Sequence, residues 1–230
     1  MKYLTRIYDF SHPLLRSLRS HRMLIRWLFG VRIPVNLLVQ FDPTTPSLSR
    51  LLCKVIWPAD QSCLEIGIGQ GALVSLSIAR KHSIQIVGVD CSPERVTQSK
   101  TVAESNGIPA EFFVSDLFSS VSKVRRFDLI FFNPPYVPTD VGQRLKFDQR
   151  FNHDGTQVWD GGEDGTEVLS RFLSDAQSFL TDRGRIAFGV QSVFVSDSLV
   201  HAIIESKGLV VIKRVASRFL PSVCYVVAQL

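Results

Sequence analysis

The chain has 230 residues, of which 45% are hydrophobic and 20% charged, enough for one globular domain with a sizeable core or one domain with a modest extension. No apolar run reaches 18 uninterrupted residues. The nearest, 23–41, is broken by Arg26, Arg32, Pro34 and Asn36, so no transmembrane helix is expected and the chain reads as cytoplasmic.

The net charge of +5 is unevenly placed. Residues 1–41 carry Lys2, Arg6, Arg16, Arg19, Arg22, Arg26 and Arg32 against Asp9 alone, a local +6 that leaves −1 for the rest. Leu14, Leu15, Leu18, Leu24, Trp27 and Leu28 recur there at roughly helical spacing, which predicts a basic helical arm over 1–27. Three readings of the arm stand side by side: a helix capping the main domain, a surface for RNA or another acidic partner, and a membrane-surface helix or organellar presequence. Cys53, Cys63, Cys91 and Cys224 form no CxxC pair and lie near no His cluster, which points to reduced, mostly buried thiols and to no metal site.

From residue 55 onward, short apolar runs alternate with helical patterns. Strands are predicted at 62–66, 84–89, 111–114, 127–132, 185–190 and 209–213, with helices at 72–81, 93–105, 167–180 and 196–206. A last apolar run, 223–230, follows Pro221 too closely for a helical crossover and should lie antiparallel to its neighbours. The expected fold is α/β: a Rossmann-like, seven-stranded, mostly parallel sheet with an antiparallel last strand. One long irregular stretch, 137–164, is of a length that in compact domains tends to serve function.

Four motifs fall where predicted strands end. Glu65-Ile66-Gly67-Ile68-Gly69-Gln70-Gly71 turns the first strand into the first helix, and glycines there let the backbone turn tightly and a ligand approach closely. Asp90 ends the second strand, where a carboxylate can accept from ribose hydroxyls or cap the next helix. Asp116 and Leu117 follow the third, offering an acceptor for an adenine amino group and an apolar surface for its ring. Asn133-Pro134-Pro135-Tyr136 closes the fourth. The Asn133 side-chain oxygen and the Pro134 carbonyl can each accept a hydrogen from a substrate –NH2, while Tyr136 can pack on a planar substrate group. Pinning both hydrogens orients a poorly nucleophilic nitrogen and raises its electron density.

The G-x-G-x-G turn with its preceding acid resembles class I S-adenosylmethionine methyltransferases. That resemblance implies S-adenosyl-L-methionine as cofactor, held by Glu65, Gly67, Gly69, Gly71, Asp90, Asp116, Leu117 and Asn133, with Asn133, Pro134 and Tyr136 at the chemistry. Asn-Pro-Pro-Tyr is similar to the tetrapeptide of enzymes that methylate glutamine amides in proteins or exocyclic amines in nucleic acids. Two further stretches resemble the HemK group, the glutamine methyltransferases of translation release factors: Trp159-Asp160-Gly161-Gly162-Glu163-Asp164-Gly165, and 28–43. The second implies a short hairpin and connecting segment over 28–54, ahead of a methyltransferase domain over 55–230.

The implied partner is a protein substrate such as a release factor, with RNA as an alternative through the Arg-rich arm. Only about 27 residues precede the implied hairpin, as in shorter relatives that work with a partner subunit. The Pro-x-Thr segment appears as Asp42-Pro43-Thr44-Thr45-Pro46-Ser47, without its usual charges, and 139–158 lacks the Glu-rich pattern of the group. Small-molecule N-methylation and a catalytically silent partner subunit share the same fold. A NAD oxidoreductase fits the glycines but leaves Asn-Pro-Pro-Tyr unexplained.

Overall fold

The computed structural model describes residues 17–56, 59–150 and 155–229. Lys2, Arg6, Asp9 and Arg16 of the basic arm, and Leu230 of the last apolar run, lie outside them.

Seven strands form one sheet: β1 (Ser62–Ile66), β2 (Gln85–Asp90), β3 (Glu111–Val114), β4 (Phe127–Phe132), β5 (Leu180–Gln191), β6 (Leu209–Ala216) and β7 (Ser222–Gln229). Their order is β3-β2-β1-β4-β5-β7-β6. The first five run parallel, and β7 is inserted antiparallel between β5 and β6. The short link across Pro221 dictates this, because it is too brief for a crossover.

Both faces of the central strands are covered, so those strands are apolar on both sides, while edge strand β6 is largely exposed. Leu64, Ile66, Ile130, Phe132, Ile186 and Phe188 point into one core, while Cys63, Leu129, Phe131 and Ala187 point into the other. The second core is closed by α1 (Arg22–Phe29), α2 (Thr45–Val55), α3 (Leu73–Ala79) and α4 (Pro93–Ser105). The first is closed by α7 (Glu167–Ala176), α8 (Asp197–Ser206) and the stretch after β4, which holds α5 (Thr139–Arg144) and α6 (Phe147–Arg150).

Helix α1 buries Ile25 and Phe29 and leaves Arg22, Met23 and Trp27 in solvent. Ile25 shares the second core with Leu73, Leu76 and Ile78, which ties the described part of the arm to the domain, and Phe29 meets Phe41 edge-on at 5.4 Å.

Three sequence expectations need correction. Residues 28–54 hold no strand, and 45–55 are helical. Backbone groups of Arg32 and Gln40 are bound to side chains elsewhere instead of across a hairpin. Arg32 N–H donates to Asn106 Oδ1 at 2.9 Å, the Asn106 amide donates to Arg32 O at 2.8 Å, and Gln40 N–H donates to Gln70 Oε1 at 3.1 Å. The helix predicted over 167–180 stops at Ala176; a 3-10 turn, Gln177–Phe179, follows, and Leu180 pairs with Phe127 as the first residue of β5. The long stretch 137–164 is not irregular throughout. It includes α5, α6 and a 3-10 turn, Thr156–Val158, and a parallel bridge between Val137 and Asp160 folds it back against the end of β4.

Candidate active site

The carboxyl ends of β3, β2, β1 and β4 lie side by side: Val114 opposite Asp90, Val89 opposite Ile66, and Ile66 opposite Phe132. The segments that leave those strands carry the four motifs, so the glycine turn, Asp90, Asp116–Leu117 and Asn133–Tyr136 share one edge of the sheet. Open α/β sheets bind ligands along that edge.

The glycine turn is built by its neighbours. Gly67 and Gly69 have φ of 64° and 59°, a region costly for residues with a Cβ. A Cβ on Gly67 would lie 2.6 Å from the Phe132 ring, whereas one on Gly69 would meet nothing within 4 Å. Gly67 is therefore shaped by the protein's own packing. Gly69 opens onto free space.

Asp90, 3% exposed, holds this turn. One carboxylate oxygen accepts from Gly69 N–H at 2.9 Å and the other from Ser92 N–H at 3.0 Å, while Ser92 Oγ caps α4 by accepting from Arg95 N–H at 3.4 Å. The capping role thus belongs to Ser92, and a carboxylate with about four acceptor positions keeps capacity for hydroxyl donors. Ser99 closes the turn from α4: Gly71 N–H donates to its hydroxyl at 3.1 Å, and that hydroxyl donates to Gly69 O at 3.2 Å.

Glu65 is buried beneath the turn and accepts from the Ser75 hydroxyl and, at 3.1 Å, from Ser75 N–H in the first turn of α3. That N–H is one of the donors a helix start leaves unpaired. Burial pushes the carboxyl up to about 8, opposed by the two Ser75 bonds and reinforced by nearby Asp90.

Leu117 is buried with φ of 45°, held by the Ser115 hydroxyl, which donates to Leu117 O at 2.9 Å. Asp116 stands in solvent with its side chain 70% exposed, 3.4 Å from Arg171. At that exposure the pair adds little to stability.

At the end of β4, Pro134 is buried and Asn133 half-buried. The Asn133 –NH2 donates to Asp42 Oδ1 at 3.3 Å, while Oδ1 of the same Asn133 amide is fully enclosed and has no hydrogen-bond partner among the described residues. Orphaned buried acceptors are uncommon, because losing water without gaining a donor costs about 1–3 kcal/mol.

Tyr136 differs from its sequence reading. Its ring is not offered to the crevice: it is 5% exposed and lies 6.2 Å from Phe194 in a stacked pair. Its hydroxyl donates to Asp42 Oδ2 at 2.7 Å, accepts from Gln191 Nε2 at 2.7 Å and lies 3.3 Å from Thr44 Oγ1. Burial, and then the Asp42 charge, raise the phenol well above its ordinary range and keep it protonated.

The Trp159–Gly165 stretch braces the tetrapeptide. Val137 N–H donates to Trp159 O and Gly161 N–H to Val137 O, both at 2.9 Å. The Thr139 hydroxyl donates to Asp160 at 2.6 Å, and Gly162 N–H to the same carboxylate at 3.0 Å.

Sequence reasoning missed Asp42, Thr44 and Gln191. Asp42-Pro43-Thr44 carried a weak signal, since Thr44 N–H donates to Asp42 Oδ1 at 2.7 Å in the local turn that opens α2. Nothing local linked that turn to Asn133, 91 residues away.

Comparison with known proteins places the geometry in context. The sequence model of the methyltransferase small domain family matches residues 40–163. A putative protein N5-glutamine methyltransferase of Methanocaldococcus jannaschii is 38% identical over 144 residues, spanning 63% of this chain and 68% of that protein. A release factor glutamine methyltransferase of Agrobacterium fabrum is 32% identical over 172 residues, 74% of this chain but 57% of that enzyme. Among solved structures, a Pyrococcus furiosus methyltransferase superposes with a TM-score of 0.65 at 20% identity, covering 94% of this chain and 97% of that one. The T. thermophilus 16S rRNA N2 G1207 methyltransferase, solved with AdoMet and guanosine, gives 0.59 at 22% identity, covering 83% and 44%. At those identities the likeness speaks to the fold alone.

Proposed function

The chain belongs to the methyltransferase small domain family and is an S-adenosylmethionine-dependent methyltransferase, and we propose that its methyl acceptor is the side-chain amide nitrogen of a glutamine in a protein such as a translation release factor. The observation that carries this reading is the enclosed, unpartnered Asn133 Oδ1 at the end of β4. A planar –NH2 is the donor that such an acceptor lacks, and substrate entry would have to uncover the oxygen, which has no exposed surface in this structure. The names of the Methanocaldococcus and Agrobacterium relatives, both glutamine methyltransferases, support the same acceptor class.

The residues present fit the cofactor. Gly69 faces open space in a backbone conformation that suits glycine, and Asp90 beside it retains acceptor capacity. The backbone of 67–71 would cradle the methionine end, Asp90 the ribose hydroxyls, and Leu117 with Asp116 the adenine. When bound, S-adenosylmethionine supplies an electrophilic methyl group on a sulfonium.

The chain supplies position and polarity. Asn133 Oδ1 and the Pro134 carbonyl would each accept one hydrogen of the substrate –NH2, which fixes the plane of the amide so that one face of the nitrogen meets the methyl group. These acceptors gain strength as the nitrogen becomes positive, and so they favour the transition state over the ground state. Pro134 and Pro135, with no N–H of their own, leave the carbonyls free and the backbone fixed.

The test is transfer of label from radiolabelled S-adenosylmethionine to purified release factor and to cell extract, each then split between protease and ribonuclease. Label released by protease, and mapped by peptide mass spectrometry to glutamine, is the expected outcome. Label removed by ribonuclease overturns the glutamine reading in favour of an RNA amine.

A further inference from the structure

We infer that Asp42 is the positioning residue of the methyl-acceptor site, turning the Asn133 amide so that its oxygen, and not its nitrogen, meets the substrate –NH2. The inference rests on the proposed transfer to a planar nitrogen and names a residue for it that lies outside all four motifs.

The two ends of an asparagine amide are nearly isosteric, so only hydrogen bonding decides which way the group faces. An ionised carboxylate accepts and never donates. The Asn133 atom 3.3 Å from Asp42 Oδ1 is therefore the –NH2, which leaves Oδ1 of Asn133 on the other side, enclosed and unpartnered among the described residues.

Asp42 is itself held in place. Thr44 N–H donates to Oδ1 at 2.7 Å, and the Tyr136 hydroxyl donates to Oδ2 at 2.7 Å. Gln191 Nε2 donates to that hydroxyl at 2.7 Å, so its proton is directed at Asp42. The Thr44 N–H and the Tyr136 hydroxyl thus both point toward the one carboxylate.

The negative charge acts a second time, through polarisation. A carboxylate accepting from an amide –NH2 draws positive charge onto nitrogen and leaves more electron density on the amide oxygen, which makes it a stronger acceptor in a site shielded from water. Replacement of Asp42 by Asn would remove that bias. The new side chain offers an –NH2 of its own, which the Asn133 oxygen can turn to meet, and the free acceptor is lost.

The experiment uses the full chain carrying Asp42→Asn, Asp42→Glu, Asn133→Ala and the Asp42→Asn/Asn133→Ala pair. Each is assayed on the acceptor fraction that the wild-type chain labels. Cofactor affinity by calorimetry and thermal midpoint are measured in parallel.

Loss of the oriented acceptor should lower kcat of Asp42→Asn about a hundredfold, as removal of one preorganised hydrogen-bonding group commonly does. Cofactor Kd should stay within about threefold. Asp42→Glu, which keeps a carboxylate, should retain more activity than Asp42→Asn. In the double variant Asp42→Asn should add almost nothing to Asn133→Ala, because Asp42 acts through that amide.

Additive losses in the double variant overturn the inference, as does Asp42→Asn activity equal to or above that of Asp42→Glu. A loss of cofactor affinity or thermal midpoint that accounts for the fall in rate also overturns it. A fully active Asn133→Ala instead removes the acceptor reading beneath it, and label on RNA removes the glutamine assignment while leaving the Asp42 comparison intact.

Discussion

The two ends of the sheet solve opposite problems. At the amino end, polar side chains find partners within the protein. Arg185, 2% exposed, forms an ion pair with Asp60 and donates to Val55 O at 2.6 Å. Asp128 accepts from Gln61 N–H at 2.9 Å, Ser62 N–H at 3.1 Å and the Thr181 hydroxyl at 3.0 Å, which stitches β1, β4 and β5 together. At the carboxyl end, polar capacity is left over. Asn133 Oδ1 has no partner among the described residues, Glu65 is buried with a carboxyl that resists ionisation, and residues 67, 69, 71, 72 and 117 all adopt positive φ. One end ties its polar side chains to partners within the protein and serves stability. The other holds an unpartnered acceptor at Asn133 and left-handed backbone at Ala72 and Leu117, features that concentrate where proteins bind and react.

That contrast can be broken most forcefully at the amino end. Arg185→Met leaves Asp60 as a buried charge and Val55 O without its donor, so stability should fall by about 3–5 kcal/mol. Chemical denaturation measures this, and the surviving folded fraction should bind cofactor normally. Adding Asp60→Leu should restore much of the loss, since an apolar pair carries no desolvation cost. A double variant no more stable than Arg185→Met would mean that the site does not act as an ion pair.

Asn133→Ala should do the reverse. Stability should hold or rise, because a buried unpaired acceptor is removed. The rate at saturating cofactor should drop by a factor of about a hundred to a thousand, or about 2.7–4 kcal/mol in the barrier. Asn133→Asp keeps an acceptor oxygen and should retain partial activity.

The next effect is spread over pH. Glu65 has a folded value raised to about 8 from an ordinary 4.5, so its contribution to stability is fully present below the lower value and is lost as pH rises through the higher one. Asp128 has the opposite sign. Burial alone would raise it, but the bonds from Gln61, Thr181 and Ser62 outweigh that and hold it below its ordinary range, so its contribution is present at neutral pH and is lost in acid. Denaturation midpoints of Glu65→Gln should therefore fall less steeply than wild type between pH 5 and 8, and those of Asp128→Asn should flatten only in acid. Parallel profiles for Glu65→Gln and wild type would remove the Glu65 assignment.

The smallest expected effect separates the two glycines. Gly69→Ala meets no atom of the protein within 4 Å, so its cost to stability should be only the αL penalty of about 1–2 kcal/mol. Its larger consequence should be weakened S-adenosylmethionine binding by calorimetry, as expected if the proposed cofactor site lies against this open face. Gly67→Ala collides with the Phe132 ring and should destabilise the fold more than Gly69→Ala does. Equal losses of stability from the two would end the distinction.

Much of this molecule was legible in the sequence, because the signals are local. The bounds of β1, β3, β4 and α4 coincide with their apolar runs and, for α4, with the Ser92-Pro93 start. The four motifs sit at strand ends because a parallel sheet with helical crossovers sends every such end to the same edge. The antiparallel β7 followed from one proline and one short link. Where the reading failed, a distant partner decided. Backbone groups of Arg32 and Gln40 bind Asn106 and Gln70 rather than pairing across a hairpin, and Leu180 leaves its helix because Phe127 is waiting in the sheet. Tyr136 reads as a substrate-facing ring until Asp42, Thr44 and Gln191 converge on its hydroxyl from 94, 92 and 55 residues away. Sequence by itself determined the fold and placed the four motifs at one edge of the sheet, both of which follow from periodicity and turn chemistry over a few residues. Only the tertiary structure decided which way each polar group faces, because the direction of a hydrogen bond belongs to the pair that makes it, and these pairs meet only once the chain has folded.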